Sequence, residues 1–261
     1  FKELILLLRL LSPKINRTVI GMGSNLLIRD GGIEGLVIKL GKNFSQIILE
    51  NDSICVGAAV PDKVLSKFCM SNSIKNFEFL TGIPGSIGGA VAMNAGCYGS
   101  EIKDIFLSAE CTDFQGNEVT IHRSEDLFSY RNNSRVSNLI ILNVRFKRND
   151  GNKSQIVNKM KEINSNRILA QPQKVRTAGS TFKNPISHSK KKAWELIETS
   201  GSRNIKENNI SLSEKHANFI VNKQFESAND IEYFGELIRE RVLNKTGISL
   251  EWEIKIIGKY E

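Results

Sequence analysis

The stretch Thr81-Gly82-Ile83-Pro84-Gly85-Ser86-Ile87-Gly88-Gly89-Ala90 decides how the chain is read. Residues this small let backbone amides converge on an anion, and the Ser86 hydroxyl adds a further donor. From Gly82 to Gly99 there are six glycines and one proline, so a loop that something approaches closely is expected here. Upstream, Gly21-Met22-Gly23-Ser24-Asn25-Leu26 follows a short β-like run, Thr18–Ile20. That is where a dinucleotide fingerprint would sit, yet the third glycine of G-x-G-x-x-G is missing, which disfavours a Rossmann fold. Leu26-Leu27-Ile28 continues as strand and Asp30-Gly31-Gly32 as turn, so phosphates are expected to meet bare amides rather than a helix N-terminus. Two such loops suit the pyrophosphate of a dinucleotide, with Asn94-Ala95-Gly96 against a flat ring. Either loop alone reads equally well as a tight turn.

Outward from these loops, short β-branched runs alternate with turns at Gly35–Leu40, Gln46–Leu49 and Ile54–Gly57, behind an N-terminal helix ended by Ser12-Pro13. A helix is predicted over Asp62–Asn72. Ser108–Phe114 and Glu118–His122 flank Gln115-Gly116-Asn117 as a hairpin, Leu139–Phe146 reads as a strong strand, and Asn152–Leu169 as a charged helix. Helices at Lys191–Thr199 and Ala228–Leu243 and strands at Ala217–Val221 and Leu250–Ile257 follow. The composition shifts at Gln171, so a boundary near Leu169 is expected, giving domains 1–168 and 169–261 of a mixed α+β protein.

The 36 basic against 28 acidic residues leave a formal charge of +8. Lysines are dispersed, and the one tight run, Lys190–Lys192, has no alternating aromatics, so a small anionic ligand fits better than nucleic acid. Cys55, Cys69, Cys97 and Cys111 lie far apart without C-x-x-C, which points to reduced thiols in the cytoplasm and to no metal site. The apolar run Leu4–Leu11 is too short to span a membrane. The chain opens on Phe1 without an initiator Met and directly in a helical pattern, so an N-terminal piece is expected to be missing. Nothing sets the oligomeric state, and a monomer suffices.

Several motifs occur in an order that resembles the UDP-N-acetylenolpyruvoylglucosamine reductase family. Gly21–Gly32 is similar to its first flavin loop; Gly82–Gly89 with Met93-Asn94-Ala95-Gly96 is similar to its second. Ser129-Tyr130-Arg131 comes next, then Ala178-Gly179-Ser180-Thr181-Phe182-Lys183-Asn184-Pro185, which resembles the catalytic-serine motif. Lys215–Asn222 and Leu250–Gly258 complete the series. The compact Arg131–Ser180 interval looks like the shorter subgroup, which lacks an inserted tyrosine loop. Members carry an N-terminal strand segment ahead of the region that begins at Phe1.

The resemblance implies a vanillyl-alcohol-oxidase-type (PCMH-type) FAD-binding module followed by an α+β substrate domain. It implies Gly21, Gly23, Ser24, Asn25, Leu26, Gly82, Ile83, Pro84, Gly85, Ser86, Gly88, Gly89, Asn94 and Gly96 as contacts to FAD. NADPH is the implied co-substrate, and a nucleotide sugar of peptidoglycan precursor synthesis the substrate, its enolpyruvyl ether being reduced by hydride from flavin N5. Ser180 is then the proton donor, while Arg131 and a burial-protonated Glu253 stabilise the developing enolate. Tyr130, Lys183, Asn184, Lys215 and His216 are weaker candidates for substrate contacts. Without the resemblance, Ser180 would read as a loop serine, and Arg131 and Glu253 as surface charges. A flavin oxidase of the same fold would call for a covalently linking His or Cys; Cys97 is the only nearby one, and no linking motif surrounds it. A non-catalytic nucleotide-sugar module would keep the glycine loops and tolerate loss of Ser180.

Overall fold

The computed structural model describes residues 1–261. The chain forms two compact units, Phe1–Met22 with Gly35–Asn166, and Gly23–Glu34 with Arg167–Glu261. The expected division at 168/169 treats the chain as two consecutive pieces. Instead, Gly23–Glu34 groups with the C-terminal unit, because Leu26–Ile28 pairs in parallel with Lys255–Ile257.

The first unit is built on a five-stranded antiparallel sheet, in spatial order Ile47–Leu49, Ser53–Gly57, Leu139–Lys147, Phe106–Asp113, Glu118–His122. The last two strands are the predicted hairpin, in register from Ser108↔His122 to Thr112↔Glu118. Leu139–Lys147 does not alternate along its whole length, and a register shift between Ile141 and Asn143 explains why. Ahead of this bulge, Ile140 and Leu142 pack with Leu8 and Ile38 of the N-terminal segments. Beyond it, Val144 and Phe146 turn to the opposite face, onto the main core with Ile54, Val56 and Leu65. Phe146 there meets Phe77 edge-on with centroids 5.8 Å apart.

Gly82–Gly99, expected as a loop, opens on the end of a 3₁₀ turn, Glu78–Gly82, and holds a short α-helix, Ile87–Ala92, between loop segments. Its glycines serve close approach more than backbone freedom. A Cβ on Gly88 would sit 3.1 Å from Ala58 Cβ and 3.2 Å from Ala58 O. The Ile87 and Gly88 amides donate to Val60 O and Ala58 O, each at 2.9 Å.

In the second unit, a three-stranded sheet of Lys206–Glu207, Ile210–Leu212 and Ile220–Asn222 packs against helices Ala193–Thr199 and Ala228–Thr246. The long helix is specified locally. Ser227 and Asp230 form a capping box, Gly247 closes the far end at φ +72°, and Phe234, Ile238 and Val242 repeat every four residues as its buried stripe. Asp30 caps it further, accepting from Ala228 N at 2.8 Å. Of the predicted Leu250–Ile257 strand, only Lys255–Ile257 pairs as strand; Trp252 makes an isolated bridge to Phe182. No helix is long and apolar enough to cross a membrane.

The helix Asp62–Ser71 buries Asp62, Leu65, Ser66 and Cys69 on one stripe. Asp62 is fully buried, and neither carboxylate oxygen has a hydrogen-bond partner. Burial alone pushes its pKa up to about 8. The folded protein therefore retains a proton that the unfolded chain releases above its ordinary carboxylate pKa. Stability from this group is present at low pH and is lost as pH rises toward 8. Asp62→Asn is expected to raise Tm over the native chain by on the order of 5 °C at pH 8. The gap should close toward pH 5 in paired thermal-unfolding scans.

Candidate active site

Within the first unit, the two glycine motifs meet although about sixty residues separate them. A Cβ added to Gly21 would lie 2.8 Å from Ser86 Oγ. Both line one cavity of about 360 Å³, walled by Gly21, Met22, Ser86, Gly88 and Gly89 together with Ala58. Apolar groups of Leu40, Leu139 and Ile141 and the cations Arg17 and Lys39 complete the lining. Small residues along one wall, an aliphatic surface, a hydroxyl and nearby positive charge fit part of a flavin dinucleotide. Of the remaining members of the second motif, Gly85 accepts from Asp62 N through its carbonyl, and Ile83 N donates to Leu80 O. A Cβ on Gly82 would meet Ile163 Cγ2 at 3.2 Å. Pro84 lies between these in the turn joining the two helical segments.

Asn94 is fully buried with φ +45°. Its Nδ2 donates to Glu101 Oε2 at 2.9 Å and Ser129 O at 3.1 Å, and its Oδ1 accepts from Lys103 N. The side chain thus fastens the surrounding loop. Gly96 pairs with Glu101 in a short hairpin, where a Cβ would come within 2.6 Å of Glu101 Cβ. Tyr130 and Arg131 form the turn of the hairpin that pairs Ser129 with Asn132. Arg131 takes φ +57°, a left-handed conformation that costs a non-glycine residue on the order of 1 kcal/mol. Its guanidinium donates to Gly96 O at 3.0 Å and lies 5.2 Å from the Tyr130 ring centroid. Arg131 is thereby held against the motif expected to face the flavin.

Ser180 and Glu253 come together in the second unit. The segment Thr181–Lys183 runs as the middle of a small ladder. On one side, Glu253 N donates to Thr181 O and Lys183 N to Glu251 O, each at 2.8 Å. On the other, Thr181 N donates to Asn218 O at 2.8 Å. The Asn218 side chain then imitates a strand: its Oδ1 accepts from Phe182 N at 3.0 Å and its Nδ2 donates to Phe182 O at 2.8 Å. Trp252 stacks obliquely on Phe182 at 5.0 Å and donates Nε1–H to Glu236 Oε1. Gly179, at φ +88°, turns the chain into Ser180 beside the carbonyl of Ser24. Asn25 of the first glycine motif donates Nδ2–H to Glu253 O at 2.9 Å. Gly23, at φ +77°, turns the chain just ahead of Ser24, and Leu26 begins the strand paired with Lys255.

The weaker candidates divide. Lys183 pairs with Glu251 at 3.1 Å. Asn184 Oδ1 accepts from Ala193 N at the start of a helix, and Lys215 Nζ donates to Ile168 O at 3.1 Å. His216 Nδ1 accepts from Asn218 N at 3.2 Å. Burial first, then the charges of Arg203 and Lys192, hold its pKa below the usual histidine value. A cavity of about 590 Å³ in this unit is lined by Lys215 and by Arg203, Lys206, Lys223, Ser211 and Ser213. Sequence reasoning missed this cationic cavity, Asn218, and the tie from Asn25 to Glu253.

Comparison with known proteins bears on both units. Residues 171–257 match the family model for the UDP-N-acetylenolpyruvoylglucosamine reductase C-terminal domain, and residues 2–122 match that of an FAD binding domain. The chain is 49% identical over 247 residues to a UDP-N-acetylenolpyruvoylglucosamine reductase of Rickettsia akari, covering 95% of this chain and 83% of that protein. It is 46% identical over 260 residues to the reductase of Rickettsia canadensis, covering 99% and 87%. The crystal structure of the Thermus caldophilus enzyme superimposes with a TM-score of 0.81 at 31% identity, over 94% of this chain and 86% of that one.

Asn218→Ala removes the side-chain partners of both backbone polar groups of buried Phe182, at a cost of about 1–3 kcal/mol. Hydrogen exchange at the Phe182 amide is expected to accelerate by at least about tenfold, while amides of the sheet strand Leu139–Lys147 keep their protection.

Proposed function

Because the chain belongs to the UDP-N-acetylenolpyruvoylglucosamine reductase family, we propose that it reduces UDP-N-acetylglucosamine enolpyruvate to UDP-N-acetylmuramate with FAD and NADPH, a step of peptidoglycan precursor synthesis. The observation that carries this reading is the ladder that sets Glu253 N on Thr181 O, directly beside Ser180. Gly21, Ser86, Gly88 and Gly89 would hold part of the cofactor in the cavity they line. Residues 1–168, apart from the Gly23–Glu34 segment that groups with the second unit, would serve as the flavin module and 169–261 as the substrate domain. Bound FAD would supply the hydride chemistry, from NADPH to the enolpyruvyl methylene carbon.

The chain's own groups must then manage charge and a proton. Negative charge develops at the α-carbon and spreads into the substrate carboxylate. Arg131 supplies the planar fork that matches a carboxylate, held in readiness by Gly96 O. Glu253, with its backbone pinned at N–H by Thr181 and at C=O by Asn25, presents a carboxyl to the developing enol. Ser180 gives its hydroxyl proton to the α-carbon, which completes net addition of one hydride and one proton across the double bond. The cavity bearing Arg203, Lys206, Lys215 and Lys223 suits the diphosphate of a nucleotide sugar. The same reading gives a cytoplasmic enzyme acting on a small anionic substrate, with no nucleic acid partner.

Ser180→Ala tests the assignment directly. Flavin bleaching by NADPH is expected to persist in anaerobic stopped-flow spectra, while reoxidation by the enolpyruvyl substrate slows by about 10²- to 10⁴-fold. Reoxidation at the native rate would remove Ser180 from the reaction.

A further inference from the structure

Asn25 sits in a motif that reads as a flavin loop, yet its side chain is spent on the catalytic strand. Its amide Nδ2 donates to Glu253 O at 2.9 Å, and its own carbonyl accepts from Lys255 N at 3.0 Å. The residue therefore grips two consecutive peptides of one edge, the first with its side chain and the second with its backbone. The reason lies in where regular pairing stops. Leu26–Ile28 runs parallel to Lys255–Ile257, with Leu26 opposite Lys255. Continued toward the N-terminus, the same register would bring Ser24 opposite Glu253. Gly23, at φ +77°, bends the chain away, and Leu26 N closes the turn on Gly23 O. The Asn25 amide spans the step that the backbone has left.

The Glu253 backbone is already fixed at its other polar group, since its N–H donates to Thr181 O at 2.8 Å. Both backbone polar groups of Glu253 are thus held, its N–H by the segment that carries Ser180 and its carbonyl by Asn25. We propose that Asn25 is a positioning residue for Glu253: it sets the backbone from which the Glu253 carboxyl reaches the reacting enolpyruvyl group, and so fixes Glu253 relative to Ser180. This rests on the role of Glu253 given above. The chemistry selects asparagine in particular. An aspartate would set a carboxylate against the Glu253 carbonyl oxygen, and a serine is too short to bridge the same gap.

The experiment is a double-mutant cycle on the FAD-loaded enzyme, reading substrate-driven reoxidation of the reduced flavin by stopped flow. The variants are Asn25→Ala, Glu253→Gln and their combination. Misplacing a reacting group by about 1 Å costs on the order of 100-fold. Asn25→Ala should therefore lower the limiting reoxidation rate by about 10- to 100-fold, with the dissociation constant for substrate within about threefold of native. In the Glu253→Gln background the same substitution should cost less than about twofold, because the group it positions is already disabled. Asn25→Asp should resemble Asn25→Ala. Hydrogen exchange at the Ile254 amide, the peptide whose carbonyl Asn25 holds, should rise in the holoenzyme.

Full additivity of the two losses overturns the proposal, as does a native rate for Asn25→Ala. A loss in Asn25→Ala that saturating FAD restores also overturns it, because Asn25 would then act on the cofactor. A native rate for Glu253→Gln alone removes Glu253 from the reaction and takes the proposal with it. That outcome is told apart from the others by the single variant. Should Asn25→Ala fail to fold, Asn25→Asp carries the same cycle with the side chain's size retained.

Discussion

The parallel pairing of Leu26–Ile28 with Lys255–Ile257 is the constraint on which the second unit's chemistry hangs. It takes a segment inserted between Met22 and Gly35 of the first unit and makes it an edge of the second. Once there, the segment stabilises more than its own strand. Asp30 caps the long helix, and Arg29 forms a bidentate pair with Glu232 at 2.8 Å while lying 4.2 Å over the Tyr260 ring. Glu232 is held below its usual pKa mainly by that hydrogen bond from Arg29. These contacts fix the edge against the helix whose Glu236 anchors Trp252, and Trp252 in turn bears on Phe182. A positional error at Arg29 would therefore be felt at the serine segment through packed and hydrogen-bonded neighbours.

Much of this was legible in the sequence where local chemistry and periodicity agree. The Ser227–Asp230 box, the Phe234, Ile238, Val242 stripe and Gly247 specify one helix without reference to anything else. The Phe106–Asp113 and Glu118–His122 hairpin follows in the same way from alternation around Gly116, which adopts φ +81°. Glycine density in Gly82–Gly99 signalled close approach but not the helix Ile87–Ala92 within it, because glycine also serves where a helix must approach a neighbouring backbone. Gly88 against Ala58 is such a case, and composition does not distinguish it from a flexible loop.

The candidate site was legible as motifs and not as a network. Ser180, Arg131 and Glu253 were named only because their surroundings resembled a known order. Asn218 carries no signal of its own: an asparagine in an apolar run reads as an interruption until its amide is seen bonded to both sides of the Phe182 peptide. The cationic cavity was hidden for a related reason. Arg203, Lys206, Lys215 and Lys223 come from separate segments, and only the turn and strands between Ser202 and Asn222 bring them to one lining. Charge dispersed along a chain says little about charge gathered in space.

The insertion of Gly23–Glu34 into the second unit also sets an order of events during synthesis. Asn25 and Glu253 are 228 residues apart, so this segment emerges well before its partner during synthesis. At about 5–20 residues per second, it waits roughly 10–45 s with its strand edge unmatched. The closing pairing is thus a late, long-range contact that loop entropy makes slow. Chaperone dependence and the burden of misassembly should therefore concentrate on Leu26–Ile28, an apolar edge of the kind that finds wrong partners when left exposed.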